Sequence, residues 1–276
     1  MEFLILTDIH DSWTHLKKML QLAEQMDGVI FLGDLMKFRK FTEESIENLT
    51  LIKEASNLMV GLPGNGAVVQ VRDMFDSLRI NLHCKGIIIE DTGFFGIGGV
   101  PTTVQTISDI REFFKTQDTS GIPPNSKAME TWNAFGIFYE NGRFVVEDWT
   151  DSDLAKMSRY TSPFEHSEEQ IDDILSTAYE QIKGASLKIM LSHVPPYESG
   201  TISAFPLGVS TGSKALSEFI IEHDVDLSLS GHNHQNYTFY IENTECIVVP
   251  AVLNGYYGVL SVDNDSENLS TEICEF

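Results

Sequence analysis

Seven side chains able to hold a divalent cation occur along this chain, each after an apolar run: Asp8 and His10, Asp34, Asn65, His193, then His232 and His234. The runs before them read as buried strands, so the fold could bring all seven to one rim of a sheet. Their donors are oxygen and imidazole, with no cysteine nearby. Such a set suits manganese, iron, zinc or a mixed pair of divalent ions. In an extended segment side chains alternate faces, so Asp8-x-His10 puts two donors on one side, and His232-x-His234 repeats that geometry near the other end of the chain. Either pair alone carries no weight. Two such pairs bracketing Gly33-Asp34, Gly64-Asn65 and Ser192-His193 make the inventory of a metal-dependent hydrolase.

The elements that must position these residues show in the hydrophobic pattern. Residues 3–7 read as a strand, and residues 12–26 as a helix with Trp13, Leu16, Leu20 and Ala23 on one face and Asp11 as its cap. Val29 to Leu32 is a strand running into Gly33-Asp34, Glu43 to Ala55 a helix aligning Ile46, Leu49 and Ile52, and Asn57 to Gly61 a third strand. Strand and helix alternate, which implies a parallel sheet with right-handed crossovers and ligands at the carboxyl ends of strands. A helix over Val68 to Leu78 follows. Leu82, Ile87 to Ile89 and Phe94 to Ile97 then form short strands joined at Asp91-Thr92-Gly93, so the sheet turns mixed.

From about 102 to 160 the pattern loosens, with a break at Gly121 to Asn125 and scattered aromatics at Trp132, Phe135, Phe138, Tyr139, Phe144 and Trp149. That stretch is too long for an ordinary loop and reads as a structured insertion within one domain spanning 1–276: a lid, a dimer contact or a satellite core. Regular structure resumes with a helix from Ser167 to Ile182, a strand from Leu187 to Leu191, a helix from Ser213 to His223 and a strand from Val225 to Leu229. Three antiparallel strands near 236–241, 245–249 and 257–262 and a last one near 269–275 complete the chain.

Composition narrows the function classes. With 41 Asp and Glu against 18 Lys and Arg, the net charge of -23 repels phosphate backbones and anionic lipid, which argues against non-specific nucleic-acid binding and a nuclease. A 42% hydrophobic and 21% charged chain is of the globular kind, and no apolar run is long enough to span a bilayer. The three cysteines form no C-x-x-C, and no secretory leader precedes the first strand, so a cytoplasmic protein is expected, as a monomer or a homo-oligomer. Gly61 to Gly66 has no following Lys and Ser or Thr, so it is not a nucleotide loop. His15 and His223, on helices, are expected to be solvated.

Asp8-Ile9-His10, Gly33-Asp34, Gly64-Asn65-Gly66, Ser192-His193 and Gly231-His232-Asn233-His234 together resemble the calcineurin-like metallophosphoesterase superfamily, whose pattern runs D-x-H, G-D, G-N-H, G-H or S-H, then G-H-x-H. Gly96 to Gly99, Thr161 to Glu165 and Gly212 to Leu216 are similar to small phosphoesterases related to the cyclic-nucleotide phosphodiesterase group. The resemblance implies an α/β fold, a four-layer α/β/β/α sandwich of two mixed sheets. It also implies a dinuclear site: Asp8, His10 and His234 on one ion, Asn65, His193 and His232 on the other, and Asp34 bridging. Manganese is the first expectation for the two divalent ions, with iron, zinc, nickel or magnesium as alternatives. A metal-activated hydroxide would hydrolyse a small phosphodiester or phosphomonoester, with Asp34, Asn65 and His193 as its catalytic residues.

One position departs from the pattern. Where many relatives carry the histidine that protonates the leaving group, this chain has Gly66. Loss of a general acid forfeits roughly a hundred- to ten-thousandfold in rate, mostly on poor leaving groups. Another residue could supply the proton, His83 and His166 being candidates though both are expected at the surface. Otherwise the natural leaving group is good, or the chain is a catalytically faded interaction scaffold with the same fold.

Overall fold

The computed structural model describes residues 1–37, 41–116, 133, 136–150, 163–197 and 212–276. Its first half alternates β1 (Glu2–Leu6), α1 (Leu16–Gln25), β2 (Gly28–Phe31), α2 (Glu43–Ala55), β3 (Met59–Gly61) and α3 (Val69–Ser77). The three strands pair in parallel, Leu4 beside Val29 and Ile30 beside Val60. They are apolar on both faces because both faces are covered. Phe3, Ile5, Ile30 and Val60 enter one core, and Leu4, Leu6, Val29, Phe31 and Met59 enter another. Met19 and Ala23 of α1, Leu49 and Ile52 of α2, and Val71 and Phe75 of α3 close that second core from outside.

The chain continues through β4 (Lys85–Ile89), β5 (Thr92–Ile97), β6 (Val100–Pro101), α4 (Thr103–Thr116), β7 (Ile137–Glu140), β8 (Arg143–Val146), β9 (Glu165–His166), α5 (Glu168–Glu180), β10 (Leu187–Ser192) and α6 (Lys214–Glu222). It ends with β11 (Leu227–Ser230), β12 (Tyr237–Ile241), β13 (Thr244–Val248), β14 (Tyr256–Asp263) and β15 (Asn268–Glu275). One sheet has the order β15-β14-β1-β2-β3, the other β12-β13-β11-β10-β5-β4. Both are mixed: β13, β11, β10 and β5 run parallel, while β4, β12, β14 and β15 are antiparallel to their neighbours. The sheets meet face to face, with Phe3 edge-on to Phe94 at 5.1 Å and Ile189, Leu191, Leu229 and Leu260 filling the space between them. Phe95, Met190 and Val248 point the other way, onto Ile171 and Leu175 of α5 and Leu216 and Phe219 of α6. These are the four layers α/β/β/α.

Several local expectations are corrected. Helix α1 begins at Leu16, not residue 12, and Asp11 does not cap it: the Asp11 carboxylate accepts from the Lys37 amide and the Ser45 hydroxyl, pinning the start of α2. The turn between β4 and β5 falls at Glu90-Asp91, with Glu90 left-handed at φ 55, and Thr92 and Gly93 are already in the strand. Of the three late strands expected to be antiparallel together, only β12 and β13 pair, and β14 crosses to the first sheet. His15 stacks on Phe276 at 4.7 Å and His223 on Phe219 at 3.9 Å, so neither is simply solvated.

The stretch expected to be an insertion lies between β6 and β9, which pair Val100 with Glu165 and Pro101 with His166. In its described part α4 packs on β8 of the β7–β8 hairpin. Phe114 meets Phe144 at 4.8 Å, and Arg111 lies 4.2 Å over the Trp149 ring while donating to the Glu147 carbonyl. These contacts join parts of the segment to one another. Its break at 121–125, Trp132, Phe135 and the Thr161-Ser162 pair lie outside the described residues.

Candidate metal centre

The seven residues leave the carboxyl ends of strands in two sheets, not one. Asp8 and His10 follow β1, Asp34 follows β2 and Asn65 follows β3, while His193 follows β10 and His232 and His234 follow β11. Backbone bonds stitch these ends together: Asp8 N–H to Gly33 O at 2.9 Å, His10 N–H to Asp34 O at 3.0 Å and Gly231 N–H to His193 O at 3.0 Å. Nor are the D-x-H and H-x-H pairs extended. Asp8, His10, Asp34, His232 and His234 all lie in the left-handed region, at φ 52, 48, 52, 68 and 56. Asp, Asn and His tolerate that region better than most residues, and a cluster of such backbones marks a functional site more often than a packing accident. The side chains therefore converge because the strand ends curl, not because strands alternate.

All seven are brought together. The Nε2 atoms of His10 and His234 are 3.1 Å apart. Asp8 Oδ1 is 3.2 Å from His234 Nε2 and 3.6 Å from His10 Nε2. Asp34 Oδ2 is 3.7 Å from His10 Nε2 and 3.6 Å from His193 Nε2, so it stands between the two groups. His193 Nε2 is 3.0 Å from Asn65 Oδ1, and the rings of His193 and His232 are 5.1 Å apart.

The donor set fits a cation on chemical grounds. His10 Nδ1 lies 3.2 Å from the Met36 carbonyl and His193 Nδ1 2.8 Å from the Leu32 carbonyl. A carbonyl only accepts, so each ring carries a proton on Nδ1 and turns Nε2 toward the cluster. There Nε2 faces acceptors: carboxylates, a second imidazole, the Asn65 amide oxygen. Asp8 Oδ1 is buried with no hydrogen-bond partner among the described residues. Only a cation or a proton among them relieves that repulsion, and an imidazole that gives its second N–H to a backbone carbonyl is the usual arrangement of a metal-bound histidine.

Electrostatics agree. Burial alone would raise the Asp8 carboxyl, yet the imidazoles of His10 and His234 against it, with His193 nearby, hold it well below the usual carboxylate range. Burial pulls His10 down, but Asp8 and Asp34 more than offset it and raise the imidazole above its ordinary value. Burial, with neighbouring His193, pushes His232 down to about 3, which leaves it a neutral lone-pair donor at pH 7.

The sequence reading missed the supports. The Leu32 and Met36 carbonyls carry no signal in residue type. Gly33 does: its φ is 111, and a β-carbon there would overlap the His193 ring. His83 and His166, expected at the surface, are instead half-buried and stacked on each other at 5.3 Å. His83 Nδ1 accepts from the Gly98 amide at 3.1 Å, and burial, with His166 beside it, pushes its imidazole down to about 4. Burial likewise lowers His166. Neither carries a charged proton to give at pH 7.

The sequence model of one family, described as calcineurin-like phosphoesterase, matches residues 1–236. Among solved structures, TT1561 of Thermus thermophilus is similar with a TM-score of 0.62 at 14% identity, over 98% of this chain and 97% of that one. The phosphopantetheinyl hydrolase PptH of Mycobacterium tuberculosis is similar with a TM-score of 0.50 at 13% identity, over 90% and 89%. At such identities the likeness is one of fold. No curated protein matches the chain.

Proposed function

The chain belongs to the calcineurin-like phosphoesterase family, and on that premise we propose that it hydrolyses a small phosphodiester at a two-ion centre held by Asp8, His10, Asp34, Asn65, His193, His232 and His234. The observation that carries this reading is the place of Asp34 Oδ2, 3.7 Å from His10 and 3.6 Å from His193. A carboxylate there can serve two ions at once. Asp8, His10 and His234 would complete one ligand set, and Asn65, His193 and His232 the other, manganese being the ion first expected from an oxygen and nitrogen set without thiolate. When bound, divalent ions polarise phosphate oxygens and bring the pKa of water to roughly 7.

The chain's own residues prepare that chemistry. The Gly66 amide donates to Asp34 Oδ1 at 3.0 Å, which fixes the plane of the bridging carboxylate and leaves Oδ2 to the cluster. The Leu32 and Met36 carbonyls set the tautomers of His193 and His10. Gly66, its N–H given to Asp34, stands where many relatives place an acid, and His83 and His166 are neutral and engaged with each other. Among the described residues no acid is placed for the leaving group, which in this reading departs with little help. A diester, with one negative charge, also suits a chain of net charge -23 better than a monoester with two. Among the described residues Cys84, Cys246 and Cys274 form no disulfide, and a cytoplasmic setting is part of the proposal. Among the described residues no helix is long and apolar enough to cross a membrane.

The test is a series of aryl and alkyl phosphodiesters assayed with manganese. Rates should fall steeply as the leaving-group pKa rises, and flat rates across the series would refute the missing-acid mechanism. A second reading, a scaffold whose chemistry has faded, is favoured by Gly66 alone. Failure of manganese to stimulate hydrolysis of any aryl ester in a chain that binds two ions would select it.

A further inference from the structure

The structure assigns Thr7 the task of turning Asp8 toward the ion held with His10 and His234, an inference that rests on the metal-centre reading above. Thr7 is fully buried, and its hydroxyl donates to Asp8 Oδ2 at 2.6 Å. The His232 amide donates to the same oxygen at 2.9 Å. Oδ2 is thereby satisfied twice, while Oδ1 has no hydrogen-bond partner among the described residues and faces His234 Nε2 at 3.2 Å. One carboxylate oxygen is held by the protein and the other is kept bare, so Asp8 is prepared as a single-oxygen ligand with a fixed direction.

The surroundings leave this arrangement little room to relax. A β-carbon at Gly231 would overlap the Thr7 hydroxyl and approach Asp8 Oδ2 to 2.7 Å, so the glycine before His232 exists for the close passage of one sheet's strand end over the other's. The Thr7 carbonyl accepts from Val252 at 2.9 Å and the Asp8 carbonyl from Leu253 at 3.2 Å, which fixes the backbone on the far side. Without the hydroxyl, Oδ2 keeps one donor and the carboxylate can rotate, losing the direction of Oδ1. Thr7 contacts no other candidate ligand through its side chain among the bonds described, so its loss should weaken one ion and spare the other. Outer partners of metal ligands act on affinity by about ten- to a hundredfold.

The experiment is calorimetric titration of the metal-free full-length chain with manganese, comparing the wild type with Thr7→Val, Thr7→Ala and Thr7→Ser, each checked for native circular dichroism. The wild type should bind two equivalents. Thr7→Val should weaken one of them about ten- to a hundredfold and leave the other within about twofold, and Thr7→Ser, which keeps the hydroxyl, should recover most of the loss. Thr7→Ala replaces Thr7→Val if the latter does not fold. Two wild-type equivalents with both unchanged in the hydroxyl-free variant, or both weakened alike, overturn the role given to Thr7. A wild type that takes up no manganese overturns the metal-centre reading itself, and this inference with it.

Discussion

At the residue scale, His83 shows how a side chain that looks free in sequence is committed in the fold. Its ring is packed between Phe164 and His166 and accepts the Gly98 amide. Burial, and then the neighbouring His166, push its imidazole from 6.5 down to about 4. The unfolded chain therefore binds a proton at this position between pH 6.5 and 4 while the native chain does not. Stability attributable to His83 is complete above pH 6.5, falls with pH by no more than about 1.4 kcal/mol per unit, and levels off below pH 4. In metal-free protein, the Tm of the wild type should drop more steeply across that window than the Tm of His83→Gln. Equal slopes would show that His83 titrates as it does in the unfolded chain. Gly33 makes the complementary point: its left-handed backbone and the His193 ring against it leave no space for a side chain, so a residue without chemistry is as constrained as the candidate ligands beside it.

At the element scale, the start of α6 is held by another helix. Ser213 caps α6 through its own hydroxyl, and the Glu168 carboxylate at the start of α5 accepts from the Ser213 hydroxyl, the Lys214 amide at 3.2 Å and the Ala215 amide at 2.9 Å. Two of the first helical amides and a positive helix end meet one charge. Ser167, ahead of α5, completes a capping box with Gln170. Glu168→Ala should therefore lower stability by about 1–2 kcal/mol in urea denaturation of the metal-free chain, with manganese affinity unchanged. A loss under about 0.3 kcal/mol would mean that Ser213 and water suffice. The left-handed turns after β1, β2 and β11 belong to this scale too. Each costs of order 1 kcal/mol or more, and bound cations are the natural compensation.

At the scale of the whole molecule, the net charge of -23 sits on a sandwich whose centre collects carboxylates as well as histidines. Like charges at the surface oppose the compact state, and salt screens them, with a Debye length near 30 Å at 0.01 M and about 8 Å at 0.15 M. The Tm of the metal-free chain should rise as sodium chloride is raised from about 0.01 to 0.3 M, and single-stranded DNA should neither bind nor be cleaved at about 0.15 M. A Tm that is flat or falling with salt would show that favourable ion pairs outweigh the repulsion. The pairs observed argue otherwise: Arg72 to Asp73, Lys85 to Asp76 and Lys183 to Glu180 are all exposed, a class worth little.

Residue type and order alone pointed to a candidate site, because a metal centre needs particular donor atoms and these seven side chains can supply them. Periodicity alone located most of the elements: α2 has the expected bounds, and β1, β2, β10 and β11 are displaced by one or two residues at their ends. What sequence could not supply was the geometry of ends. The left-handed curls at Asp8, His10, Asp34, His232 and His234 replace the extended spacing expected of D-x-H and H-x-H, and they arise only where one strand end must clear the next. The Asp11 contact with α2, the crossing of β14 to the first sheet and the stacking of His83 on His166 are likewise long-range outcomes, invisible to a pattern read over a few residues. Local chemistry decided which atoms are present, and only packing between two sheets decided which of them face each other.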